Sequence, residues 1–397
     1  MGIIFSSFNG LEPSLRFGHF VGNWEKSKLS SLFKKCLEKN KNGLVDNVIC
    51  NSAKNGLMPQ RDFFDKDIAN TENTNGYYII QENDFVYNPR KSNEAPYGPI
   101  SMYKYKDKGI VSPLYLCFRA TKEIHPRYFE MYFKSSVWHK YIYFAGDSGA
   151  RYDRVSIKDD VFFEMPINIP SLPEQQKIAD FLSLVDRRIE KQRQLVESLK
   201  KYKRGLLSAI FDRKLRFKDT DFSLWKNVRL SECCLGFDNK RQPISSELRE
   251  KGTVPYYGAN GIQDYVKDYI FDGEYILLAE DGGHFDEFQT KPIAQYITGK
   301  SWVNNHAHIL QATEKDCTKY IYYALVHKDI RKYINGSSRA KLNQEDMWQI
   351  VILLPNLKQQ IKIAQFMSSI DKILSIEEKM LTVLEEKKQG LLQQMFI

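Results

Sequence analysis

The chain has 397 residues, 42% of them apolar and 13% aromatic, and a formal net charge of +9. This composition excludes a disordered or collagen-like chain and leaves room for two or three folded domains. No apolar run approaches the ~18 residues of a membrane span, and Met1 to Gly10 lacks the charged start and apolar stretch of a secretory signal, so a cytoplasmic protein without a membrane partner is expected.

The first six residues, Met1-Gly2-Ile3-Ile4-Phe5-Ser6, fit a myristoylation pattern that is common by chance. Leu15-Arg16-Phe17 and, shortly after, Trp24 and Leu29 open a globular segment. Short aromatic and β-branched runs follow at Tyr77-Tyr78-Ile79-Ile80, Asp84-Phe85-Val86-Tyr87, Gly109-Ile110-Val111 and Leu114-Tyr115-Leu116-Cys117-Phe118. Turn residues punctuate them, as at Asn88-Pro89 and Tyr97-Gly98-Pro99. A helical stretch near Arg127 to Tyr143 and a small-residue turn, Ser148-Gly149-Ala150-Arg151, complete the segment. It reads as α+β with a small curved sheet.

Ile169 to Phe211 reads as one long helix. Ser171 and Glu174 fit an N-cap and its capping-box partner. The apolar positions Ile178, Leu182, Val185, Ile189, Val196, Leu199, Leu206 and Ile210 step as in a coiled-coil seam. Shifted by 185 residues the stretch recurs without a gap as Leu354 to Phe396, with 15 identical positions. There Asn356 and Gln359 form the cap, and Ile363, Met367, Ile370, Leu374, Leu381, Leu384, Leu391 and Met395 form the seam. Polar breaks coincide at Gln192/Glu377 and Lys203/Lys388. Two matched stripes, each about ten turns long, predict that the helices pair with each other and form a spacer about 50 Å long.

Between the helices the opening recurs: Leu215-Arg216-Phe217, Trp225 and Leu230 match Leu15-Arg16-Phe17, Trp24 and Leu29. Strands are expected at Val254 to Gly258, Gly273 to Ala279 and Ala307 to Leu310, and a helix near Thr318 to Lys332. A second arginine turn, Gly336-Ser337-Ser338-Arg339, follows. The repeat units lie as if on a circle cut once. Two segments alike in plan and unlike in sequence suggest two alike tasks on different targets.

The six cysteines contain no C-x-x-C pair, which points to reduced thiols and no metal centre. Ala294 to Ser301 nearly forms a phosphate-binding loop but has Ala294 where the first glycine belongs. His306 and His308, two apart on an expected strand, lack a third ligand at metal spacing and read as structural. Asp281, after Glu280 and before Gly282-Gly283, reads as a tight turn, and Asn88-Pro89-Arg90 fails the adenine-methyltransferase pattern. No catalytic set emerges, which argues against a stand-alone methyltransferase or nuclease and leaves a DNA reader or a coiled-coil scaffold. From Glu174 to Lys218 there are 13 Lys/Arg against 6 Asp/Glu, which suits a polyanion. Candidate DNA contacts mix cations with bidentate amides: Lys54, Gln60, Arg61, Arg90, Lys91, Arg151, Tyr152 and Arg154 in the first segment. In the second they are Lys240, Arg241, Tyr257, Asn260, Lys300, Arg339 and Lys341. Arg and Lys suit guanine edges, and Asn and Gln suit adenine edges.

The duplicated stretch, from Pro170-Ser171-Leu172-Pro173-Glu174-Gln175-Gln176-Lys177-Ile178-Ala179 and Pro355-Asn356-Leu357-Lys358-Gln359-Gln360-Ile361-Lys362-Ile363-Ala364 to the Gly205-Leu206-Leu207 and Gly390-Leu391-Leu392 endings, resembles the specificity subunit of a type I restriction–modification system. So do the Leu-Arg-Phe openings, and Asp272 through Gly282 with Val303 to Ala307 resembles a common target recognition domain. The resemblance implies an α+β, non-catalytic subunit with a pseudo-two-fold internal repeat. Target recognition domains at 1–169 and 215–353 would alternate with spacer helices at 170–214 and 354–397, paired as an antiparallel coiled coil. Each domain would read half of a split double-stranded DNA target and the helices would set the gap. Two modification subunits would dock on the helices, and restriction subunits would join. No cofactor is expected on this chain; S-adenosylmethionine, ATP and Mg would belong to the partners. The sequence departs from the repeat at Gln359, which stands where Glu174 does, and this bears on the strength of the C-terminal partner contacts.

Overall fold

A computed structural model describes residues 3–5, 12–62, 74–146, 153–215, 217, 225–336 and 340–397. The chain forms two compact units, Met1–Lys191 with Leu381–Ile397, and Gln192–Met380. Each long helix, Leu172–Phe211 and Leu357–Met395, therefore contributes part of its length to each unit. Among the described residues no helix is long and apolar enough to cross a membrane.

The first unit is built on a four-stranded antiparallel sheet in the order Phe33–Lys35, Leu116–Ala120, Phe85–Tyr87, Ile100–Met102. Tyr78–Ile80 and Gly109–Val111, both expected as strands, pair with each other. Phe33, Phe85, Phe118 and Phe129 are buried together, with ring centroids 5.1–5.6 Å apart where they meet. Each such side chain contributes roughly 1.5–3 kcal/mol. Helix Pro126–Lys134 covers the sheet. Ile178, Ala179 and Leu182 of the first long helix join the same core, as do Leu392, Met395 and Phe396 at the end of the second.

The repeated opening has a structural reason. Leu15–Phe17 is a buried strand, and Arg16 forms a fork on Glu174, Nε to Oε1 and Nη2 to Oε2, both at 2.8 Å. Trp24 Nε1 donates to the same Oε1 at 3.3 Å. Glu174 is 2% exposed, so this carboxylate serves an interior joint. At the Glu174 position the carboxylate is therefore part of the packing within the first unit. Arg216, the counterpart of Arg16, lies outside the described residues.

The second unit has a six-stranded sheet, in the order Cys234–Gly236, Ala307–Ala312, Phe271–Ala279, Ala294–Val303, Lys251–Gly258, Gly261–Val266. Ala294–Val303 is a ten-residue strand paired with Phe271–Ala279, a ladder in keeping with the failure of Ala294 to Ser301 to complete a phosphate-binding loop. Gly273 and Gly299 are opposite each other in it, at φ 148° and 73°, values that glycine adopts at little cost. Helix Thr318–Leu325 packs on this sheet within a core that includes Leu207, Ile210, Ile363, Ala364 and Met367 of the long helices.

Within each unit the long helices pair antiparallel. In the second, Gln192 Nε2 donates to Glu377 Oε2 at 2.6 Å and to its carbonyl oxygen at 3.1 Å, and Lys203 pairs with Asp371 at 2.5 Å. In the first, Lys388 pairs with Asp186 at 2.6 Å. The 185-residue shift maps Asp186–Lys388 onto Asp371–Lys203, and Gln192 meets its own counterpart. The coincident polar breaks are therefore contacts between the helices. Along the seams Ile178, Leu182, Ile189, Val196, Ile363 and Met367 are buried, while Val185, Leu199, Leu206, Ile370, Leu374, Leu381, Leu384 and Leu391 are half-buried, as a two-helix pair allows.

Candidate nucleic-acid interface

In the first unit a cleft of about 440 Å³ opens between the hairpin strand Ile49–Ser52, the segment Asn88 to Ser92, and Tyr115. It gathers four sequence candidates, Gln60, Arg90, Lys91 and Arg154. Asn-Pro at 88–89 interrupts the strand before it, because proline offers no amide to a ladder. The chain then runs beside the segment after residue 152. Lys91 N donates to Asp153 O at 2.8 Å and Val155 N to Pro89 O at 2.9 Å. Arg90 and Arg154 consequently face each other in an isolated antiparallel bridge. Asn51, 5% exposed, holds the floor: its Nδ2 donates to Val86 O and Pro99 O, and Ser101 Oγ donates to its Oδ1 at 2.7 Å. Burial raises the Tyr115 hydroxyl above its ordinary range. Asn51, Tyr77 and Tyr115 line the cleft but were not among the candidates, because only the fold brings them to Arg90.

Lys54 lies apart, lining a second cleft of about 390 Å³ with Lys104, Glu130, Lys134 and Lys388. Arg61 is exposed on the turn Gln60–Asp62. Burial raises the Glu130 carboxyl, but Lys134, Lys104 and Arg127 outweigh it and hold the group down to about 2. Burial also lowers the Lys388 ammonium, an effect that Asp186 opposes. Arg151 and Tyr152, with their small-residue turn, lie outside the described residues.

The second unit spends its charges differently. Arg241 is 16% exposed; its guanidinium pairs with Glu280 and donates to Asp238 O and Ala307 O, both at 3.1 Å. His308, 1% exposed, is held at both nitrogens, Nδ1 to Asp238 at 2.5 Å and Nε2 to Leu342 O at 2.9 Å. Lys341, half exposed, reaches Glu280 Oε1 at 3.1 Å. Burial raises the Asp238 and Glu280 carboxyls, but His308 and Arg241 hydrogen bonds, respectively, lead the opposing effects and leave both below the usual range. Asp238, Glu280 and His308 have ligand atoms close enough to share a metal ion. Arg241 and Lys341 already neutralise those carboxylates, so the group is an ion-pair network. His306 Nδ1 meets Asp281 at 2.5 Å, so the two histidines serve separate joints.

Asn260 Nδ2 donates to Gly282 O at 2.8 Å, beside a cleft of about 370 Å³ that includes Gln263, Asp281 and His306. Tyr257 is half-buried, and burial raises its hydroxyl. Lys240 and Lys300 are exposed, their ammonium groups 5.2 and 4.5 Å from the rings of Phe237 and Tyr269. Arg339 lies outside the described residues. In this unit the structure groups Arg241 with Lys341 at Glu280, and Asn260 bonds next to Asp281, which bridges to Lys341.

Residues 22–201 and 223–386 match the family described as type I restriction modification DNA specificity domain. A putative type I restriction enzyme specificity subunit of Haemophilus influenzae is 37% identical over 151 residues, 38% of each chain. A putative type I specificity subunit of Mycoplasma pneumoniae is 27% identical over 216 residues, 53% of this chain and 84% of that one. The chain thus spans well under half of the Haemophilus relative and most of the Mycoplasma one. In fold it is similar to the crystal structure of a type I restriction-modification S subunit from M. genitalium. The TM-score is 0.56 at 18% identity, over 97% of this chain and 99% of that one.

Proposed function

The chain belongs to the type I restriction modification DNA specificity domain family, and on that premise we propose that each unit reads one half of a bipartite double-stranded DNA target. The observation that carries this reading is the first unit's cleft, where Gln60, Arg90, Lys91 and Arg154 converge from three stretches of chain. Exposed cations there hold phosphates, and recessed side chains meet base edges.

The paired helices fix the spacing between half-sites, a geometric quantity in any two-part DNA reader. They also dock two modification subunits, which carry S-adenosylmethionine; restriction subunits with ATP and Mg complete the assembly. Support for docking comes from the second long helix. Ile373, Ile376 and Met380 are 46%, 61% and 43% exposed at helical spacings of three and four, an apolar stripe on the solvent side.

The test is a genome-wide methylation map. The chain is co-expressed with its cognate modification subunit in a host lacking other methyltransferases, and omitted in a control. A new bipartite motif that needs this chain is expected. A properly sized complex that adds no methylation overturns the reading.

A further inference from the structure

Arg154 differs from the other described candidates in what surrounds it. Its Nε is buried and finds no hydrogen-bond partner among the described residues, although the side chain lines the 440 Å³ cleft. Tyr128 Oη and Ser301 Oγ also lack partners there, but both side chains are 0% exposed, out of any ligand's reach. A guanidinium donor withdrawn from water and left without an acceptor is unfavourable, and so is a like-charged residue placed directly opposite. Arg90 is that residue, across the isolated bridge. The backbone bonds on either side, Lys91 N to Asp153 O and Val155 N to Pro89 O, hold the two arginines in register. A ligand in the cleft that supplies acceptors and negative charge to the remainder of the guanidinium offsets the repulsion from Arg90.

The two arginines are not equivalent. Arg90 has a side chain 69% exposed, near Asp153 at 3.9 Å, and suits a phosphate that many geometries can satisfy. Arg154 is recessed, with one face of its fork already desolvated. A planar donor fork held in one orientation suits the paired N7 and O6 acceptors of guanine. We propose that Arg154 is a specificity-determining residue that reads a guanine in the half-site of the first unit, with Arg90 holding the adjacent backbone. This rests on the DNA-reading function above.

The experiment uses the complex of this chain with its modification subunits and the duplex target found by the methylation map. Each guanine of the first unit's half-site is replaced in turn by 7-deazaguanine, which lacks the N7 acceptor. One replacement is expected to weaken binding by the wild-type complex about 5- to 150-fold, the worth of a bidentate base contact, and to cost Arg154→Ala nothing further. Arg154→Ala leaves the slope of log K against log salt unchanged and relaxes one position of the methylated motif. The proposal is overturned if Arg154→Ala weakens all sequences alike and flattens that slope by about 0.9, the mark of a phosphate contact. It is equally overturned if no guanine replacement matters, if the half-site holds no guanine, or if Arg154→Ala binds and methylates as wild type. Arg154→Gln, with thermal melting, guards against misfolding, and the 7-deazaguanine arm needs no variant. Failure of the DNA-reading function itself shows separately, as a wild-type complex that neither binds nor methylates.

Discussion

Gln175 and Gln360 occupy matching places in the two units and do the same work. Gln175 Nε2 donates to Pro170 O and its Oε1 accepts from His125 N, while Gln360 does so with Pro355 O and Cys317 N. His125 and Cys317 are the N-caps of the helices that cover each sheet. Each globular part is thus tied to its long helix by one buried glutamine. In each, a strand soon after the opening tryptophan also pairs with the last strand, Glu25–Lys28 with Pro166–Ile169 and Lys226–Arg229 with Val351–Leu354. Beyond that frame the units diverge. One carries a four-stranded sheet and an open cleft lined by an arginine whose Nε lacks a partner; the other carries a six-stranded sheet and an arginine consumed by a buried network. Joints shared by both units belong to the scaffold, whereas the surfaces that differ are free to follow different targets.

The largest expected effect comes from making the first joint resemble the second. Glu174→Gln leaves buried Arg16 with the more exposed Glu12 as its remaining carboxylate and is expected to destabilise the first unit by about 3–5 kcal/mol. Hydrogen exchange resolved by unit checks it: protection falls in the first and holds in the second. Equal loss in both breaks the comparison. Next is acid sensitivity. Glu130, held at about 2 against an ordinary 4.5, contributes about 3 kcal/mol above pH ~4.5, and this is lost as pH falls through about 2. The corresponding helix position of the second unit is Tyr322, so Glu130 has no counterpart there, although Asp238 and Glu280 of that unit also lie below the usual range. Acid titration by the same exchange measurement should therefore loosen the first unit by that increment, and Glu130→Gln should remove the pH-dependent part.

Arg241→Ala strips the Glu280–Asp238 network of its guanidinium and should cost the second unit about 2–3 kcal/mol. Arg90→Ala, the smallest effect, should change melting of the first unit by less than about 0.5 kcal/mol while lowering the salt slope of DNA binding by about 0.9. Reversal of those two outcomes would exchange the roles assigned to the two arginines.

The long helices were legible because capping, seam and the 185-residue shift agree at the local level. The spacing of the polar breaks was legible too, but their meaning was not. A hydrogen bond from Gln192 to Glu377 spans 185 residues and leaves only an interruption in each stripe. The strand Ala294–Val303 escaped detection because Gly299-Lys300-Ser301 breaks its apolar pattern with turn-like residues. Residue type alone could not separate Arg241 from Arg154. Glu280, 39 positions along the chain, captures one, and no described residue captures the Nε of the other. Arg151 and Arg339, the paired turns that sequence favoured, lie outside the described residues.

The most direct test of two independent readers on one scaffold is an exchange. Residues 15 to 169 are replaced by the corresponding segment of another family member, and the methylome is mapped with the same modification subunit. The account predicts that one half of the motif changes while the other half and the gap are retained. A motif that changes in both halves would contradict it.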